Sequence, residues 1–85
     1  MKRAQLLRRV KRLLRCHSVE ITRPRNTMYL LIWRRKDTRK GEGGWYDQDG
    51  QPREFQYFER TCIARGKTNE QLWRGAAAQA AKEQP

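Results

Sequence analysis

Residues 18–35, SVEITRPRNTMYLLIWRR, decide the fold of this 85-residue chain. Val19 and Ile21 alternate with Glu20 and Thr22, the period of a half-buried strand. Pro24 and Asn26 mark a turn, and Met28 to Trp33 resumes an extended apolar pattern. The segment predicts a β-hairpin. In its second strand Met28, Leu30 and Ile32 point one way while Tyr29, Leu31 and Trp33 point the other. Apolar residues on both faces predict a central strand, the other reading being an aromatic patch exposed for binding. The strand then runs straight into Arg34, Arg35 and Lys36, so these cations either keep a buried strand soluble or face a polyanion.

Upstream, residues 2–15 predict a basic amphipathic helix. Leu6, Leu7, Val10, Leu13 and Leu14 recur at helical spacing and fall on one arc, about 120° wide, as a core-facing stripe does. Arg8, Arg9, Lys11, Arg12 and Arg15 fall outside it. No Gly, Pro or acid interrupts the segment. Without a carboxylate at i±4, this face has no internal ion pairs to neutralise it.

Downstream, RRKDTRKGEGG is polar, cationic and glycine-rich, and 36–52 reads as a long loop with room for a short strand. Asp49-Gly50, with Pro52 just beyond, suits a hairpin tip. Residues 53–64 predict a further strand, with Phe55, Tyr57 and Glu59 on one face and Phe58 and Cys62 on the other unless a bulge shifts the register. Thr68-Asn-Glu-Gln71 is a capping box that opens a C-terminal helix over 68–82. Leu72, Ala76 and Ala80 recur along it, with Trp73 and Ala77 beside them. Gly75 weakens that helix by about 1 kcal/mol relative to Ala unless close backbone packing needs it. The expected fold class is α+β in a single domain, 1–85. A small antiparallel sheet of three strands, or four if the loop adds one, packs against the N-terminal and C-terminal helices on one face.

The formal net charge of +11 is unevenly spread. Residues 1–40 hold fourteen Lys or Arg against two acids, whereas 41–85 hold six against seven. Concentrated charge repels itself, and a polyanionic partner relieves that repulsion. Two cysteines, Cys16 and Cys62, make no disulfide scaffold, and with His17 they lack metal-ligand spacing, so no metal or other cofactor is expected. Reduced thiols suit the cytoplasm. Arginines interrupt every apolar run of the N-terminal segment, which excludes a signal peptide or a membrane span. Interfacial helices carry Trp or Phe on the apolar face, and this one has only Leu and Val. His17 has no evident acid partner, and a turn explains Asp47, Asp49 and Glu54 better than a divalent-cation site. The chain is read as a non-enzyme.

The element order, with RPRNTMYLLIW in the first hairpin and GKTNEQLWRGAAAQAA at the end, resembles the double-stranded RNA-binding domain. Pro24, the strand from Met28, Gly66, Thr68 and the pair Ala76-Ala77 match that family in position and order. The resemblance implies an α-β-β-β-α fold and a duplex RNA partner. Asn26 stands where the family has a loop histidine, and Asn69, Glu70 and Trp73 stand where it has phosphate-binding lysines. The implied fold therefore comes without the implied contacts of the second helix.

The expected function is to hold duplex nucleic acid, RNA before DNA, mainly through backbone phosphates. Candidate contacts are Arg8, Arg9, Lys11, Arg12 and Arg15 on the helix, and Arg23, Arg25 and Asn26 at the hairpin tip. Arg34, Arg35, Lys36, Arg39 and Lys40 along the strand end and loop, and Lys67 before the last helix, complete the set. On a strand edge such cations also block sheet-to-sheet aggregation. Trp45 and Tyr46 either stack on an unpaired base or, as preferred, anchor the loop, and Trp73 is assigned to the core. The alternative function is a small basic inhibitor or adaptor of phage or plasmid type, docked on an acidic protein surface. An uncovered part of the leucine stripe also leaves a homodimer open.

Overall fold

The computed structural model describes residues 1–40, 46, 48–51 and 54–84, without the side chains of 37–40 and 54–56. The order is α1 (Arg3–Leu14), β1 (Ser18–Thr22), β2 (Met28–Lys40), β3 (Glu54–Gly66) and α2 (Asn69–Glu83). The strands form one antiparallel sheet in the order β1-β2-β3, with β2 central. Both helices lie on one face, which gives the two-layer α+β architecture that the sequence predicts.

Local chemistry explains the helix limits. α1 has no side-chain cap and no acid in its first turn, and it ends where Arg15 turns left-handed at φ 50° and ψ 49°. α2 opens on the capping box. The Gln71 backbone N–H donates to Thr68 Oγ1 at 3.2 Å, and the Thr68 N–H donates to Gln71 Oε1 at 3.3 Å.

The core is small and drawn from both ends of the chain. Leu6, Val10 and Leu14 of α1 and Leu72 and Ala76 of α2 are buried with Cys16 and with Leu30 and Ile32 of β2. Leu7 and Leu13, at the margins of the predicted arc, are only partly covered. The helices run side by side in the same direction. At one end the Met1 ammonium meets Glu70 at 2.7 Å and Asn69 Nδ2 donates to the Met1 carbonyl at 2.9 Å. At the other, Arg34 Nη2 donates to the Leu14 carbonyl at 2.6 Å and the same guanidinium pairs with Glu83 at 2.6 Å.

The sheet face away from the helices carries Tyr29, Leu31 and Trp33, all half-buried. Two bulges shift the β2–β3 register. One inserts Ile63 between the pairs Leu30–Ala64 and Leu31–Cys62, and the other inserts Lys36 between Arg35–Phe58 and Asp37–Tyr57. The first lets Ile63 and Ala64 both pack on the core while Cys62 stays exposed.

One expectation is corrected. β2 continues through 36–40, where the sequence predicts loop, and these residues pair with β3 as a two-stranded ribbon. The β1–β2 pairing reaches only to Trp33, so among the described residues 37–40 pair with β3 alone. The segment RRKDTRK at 34–40 has no apolar alternation, so the β2 half of the ribbon left no strand signal. β2 runs to Lys40, and 41–45, 47, 52 and 53, which overlap the loop where the sequence leaves room for a short fourth strand, lie outside the described residues. In the turn at 48–50, Gly50 takes a left-handed φ of 78°.

Candidate nucleic-acid interface

The amphipathicity of α1 determines where its charge goes. Because Leu6, Val10 and Leu14 are pinned to the core, Arg8, Arg9, Lys11, Arg12 and Arg15 are all exposed. Among the described residues none of the five donates to a carboxylate. Three of the acids are engaged elsewhere. Glu70 pairs with the Met1 ammonium and Glu83 with Arg34. Glu20 accepts from Trp33 Nε1 at 3.3 Å on the open sheet face, where Arg60 also approaches it at 3.9 Å. The ridge from Arg8 to Arg15, about 10 Å long at 1.5 Å per residue, is therefore uncompensated cation.

The hairpin tip lies at the start of this ridge. Arg3 Nη2 reaches the Ile21 carbonyl at 3.4 Å, which ties the first turn of α1 to the end of β1. Arg23, Arg25 and Asn26 are exposed just beyond. Lys67 comes to the same end because Gly66 pairs with Met28, and its side chain is exposed while its backbone N–H donates to Gln71 Oε1. The Met1 ammonium holds Glu70 below the usual carboxylate range through a direct hydrogen bond. Glu70 thus remains ionised beside an opposite charge, which offsets its repulsion of a phosphate.

Arg34 stands apart from the other candidates. Its guanidinium caps the last turn of α1 through the Leu14 carbonyl and grips Glu83 of α2 at 2.6 and 3.0 Å. The hydrogen bond from Arg34 is the main reason the Glu83 carboxyl lies below its ordinary range. Arg34 is thus a clamp between the helix ends. Arg15, Arg34 and Arg35 nevertheless line one depression with His17 and Phe58, whose rings sit 4.4 Å apart. Arg35 and Lys36 are exposed at the root of the ribbon, and Arg39 and Lys40 lie along it with their side chains outside the described set.

Two shallow clefts flank the ridge, one at each partly covered leucine. Between α1 and β1, Leu7 and Val19 form a floor beside Arg8, Lys11 and Ser18. Between α1 and α2, a cleft of about 500 Å³ is lined by Gln5, Arg8, Arg9, Arg12, Leu13 and Trp73. Trp73, which the sequence assigned to the core, is half-buried and packs against it while still reaching this cleft. The helical spacing of Gln5, Arg9, Arg12 and Leu13 is visible in the sequence, but Trp73 joins them only through tertiary packing. The exposed Arg60 and Arg65 on the open face, with the Arg60 guanidinium 5.6 Å from the Trp33 ring centroid, also escaped sequence reasoning.

Other chemistries have little to work with. Burial pushes the Cys16 thiol up, so it resists forming the thiolate that nucleophilic or metal chemistry needs. Among the described residues no group of three His, Cys, Asp or Glu is placed to hold a metal ion. Trp45 and Asp47 lie outside the described residues, as does the Glu54 side chain, and Tyr46 is exposed. No described helix is long and apolar enough to cross a membrane. No family model, no curated protein and no solved structure matches the chain.

Proposed function

We propose that this protein is a non-enzymatic binder of duplex nucleic acid that holds backbone phosphates. The observation that carries the reading is the α1 ridge, with five exposed cations and no carboxylate partner among the described residues. Such a row suits a phosphate backbone, since each Lys or Arg that neutralises a phosphate releases a condensed counterion. The hairpin tip extends the row, and an asparagine there contacts a groove or a 2′-hydroxyl equally well. RNA comes before DNA because the α-β-β-β-α order, Pro24, Gly66, Thr68 and Ala76-Ala77 resemble the double-stranded RNA-binding domain. The free thiols Cys16 and Cys62 suit a reducing cytoplasm.

The test is fluorescence anisotropy with duplex RNA, duplex DNA and single strands of equal length at two salt concentrations. Replacing Arg8, Arg9, Lys11, Arg12 and Arg15 together by Ala should abolish duplex binding and leave the circular dichroism spectrum folded. If all five meet phosphates, the variant loses a contribution of about −4.5 to the slope of log K against log salt. Unchanged affinity would remove α1 from the mechanism, and equal affinity for duplex DNA would remove the RNA preference. The half-buried row Tyr29, Leu31 and Trp33 on the open sheet face favours a second reading, an adaptor docked on an acidic protein surface. Weak binding to every nucleic acid, vanishing near physiological salt, would favour that reading.

A further inference from the structure

We infer that the cleft between α1 and α2 receives one unpaired base of a bulged duplex, so that the preferred substrate is an imperfect helix. The inference rests on the duplex-binding reading above and names its substrate more closely. Three chemistries meet in this cleft. Its floor is apolar, formed by half-buried Trp73 and by Leu13, which is 39% exposed. Among the described residues Leu13, Tyr46 and Tyr57 are the exposed large apolar side chains, and Leu13 alone lies on the helical layer. Its rim is Arg8, Arg9 and Arg12, three guanidinium forks with no carboxylate partner among the described residues. Gln5, half-buried at the edge, offers both an amide donor and an acceptor.

That set answers each part of a nucleotide. An aromatic and aliphatic floor receives the face of a base, a guanidinium binds the phosphate bidentately, and an amide pairs with a base edge. A volume of about 500 Å³ falls in the range of small-ligand sites, roughly 300–1,000 Å³. Bases in a perfect duplex stay stacked and cannot enter. An unpaired base leaves the stack at the smallest penalty. An acidic amphipathic peptide would also satisfy floor, rim and amide, but the three arginines of the rim belong to the ridge already assigned to phosphates, which favours a nucleotide.

The experiment compares a fully paired duplex with the same duplex carrying one bulged 2-aminopurine, at one salt concentration. The bulged duplex should bind about tenfold tighter, within the range that stacking one base supplies. Its 2-aminopurine emission should be quenched on binding. Gln5→Ala with Leu13→Ala trims an edge and an exposed side chain, so the core is left intact. This double variant should bind both duplexes alike, near the wild-type affinity for the paired one. Equal affinity of wild-type protein for the two duplexes, or a preference that survives in the variant, overturns the inference and leaves the duplex reading standing. No binding to either duplex overturns both. If bulge and pair bind alike while the double variant releases an acidic amphipathic peptide that wild-type protein holds, the cleft is a protein groove and the inference fails.

Discussion

Arg15 closes α1 in left-handed backbone, where a β-carbon costs about 1–2 kcal/mol and glycine fits freely. The same residue is a cation of the proposed interface, so one substitution separates stability from binding. Arg15→Gly should raise the stability of the free protein by about 0.5 kcal/mol in urea titration, after the larger entropy of the unfolded glycine chain is subtracted. The same variant should flatten the salt dependence of duplex binding by about one unit. Arg34 behaves in the opposite way. Arg34→Ala should destabilise the fold by about 1 kcal/mol, since it breaks a half-exposed ion pair and uncaps a carbonyl, while barely changing duplex affinity. Its partner Glu83 is depressed by Arg34, so the stabilisation is fully present above the ordinary glutamate pKa and fades as pH falls through the lower native value. Glu83→Gln should accordingly be less stable than wild type at neutral pH and converge with it in acid, as followed by circular dichroism. Nothing in the linear string distinguishes Arg34 from Arg35. Its acceptors lie 20 and 49 residues away and exist only once both helices dock.

Elements with a local pattern were legible. The leucine period of α1, the alternation of β1 and the first half of β2, and the capping box of α2 each encode structure within a dozen residues. The β2 half of the ribbon, 36–40, was not legible, because KDTRK carries no apolar alternation and its pairing is carried by backbone hydrogen bonds. The ridge could be read from the helical period alone, whereas the cleft beside it needed Trp73 from a distant helix. Gly75 shows how packing overrides propensity. A β-carbon there would overlap the Ala64 β-carbon and come within 3.3 Å of the Ala64 Cα, so α2 can approach β3 only because this carbon is missing. Gly75→Ala should therefore destabilise by about 1 kcal/mol or more, overpacking outweighing the gain in helix propensity. Adding Ala64→Gly should recover most of that loss. A stabilised Gly75→Ala single variant, measured by thermal melting, would mean that the helix sits further from the sheet.

For the whole molecule, a net charge of +11 on 85 residues makes salt act in two directions. Added salt screens self-repulsion and should raise the melting temperature of the free protein. The same salt should lower the melting temperature of the complex, because phosphate contacts weaken. At low salt, duplex at a hundredfold excess over its dissociation constant should stabilise the fold by about 2.7 kcal/mol, and thereby raise the melting temperature by roughly 10 °C or more. Parallel salt dependences with and without duplex would contradict a phosphate-held complex. The core that resists melting is shared by α1 and α2, and Met1 meets Glu70 across 69 positions of sequence. Contacts so distant give a high contact order, and the domain should fold more slowly than a helical bundle of equal size. During vectorial synthesis α1 leaves the ribosome before the sheet and α2, and its leucines gain their full partner face, Leu30 and Ile32 of β2 with Leu72 and Ala76 of α2, only after α2 emerges. Throughout that interval the nascent helix offers its cations to any polyanion nearby, the ribosome's own RNA included.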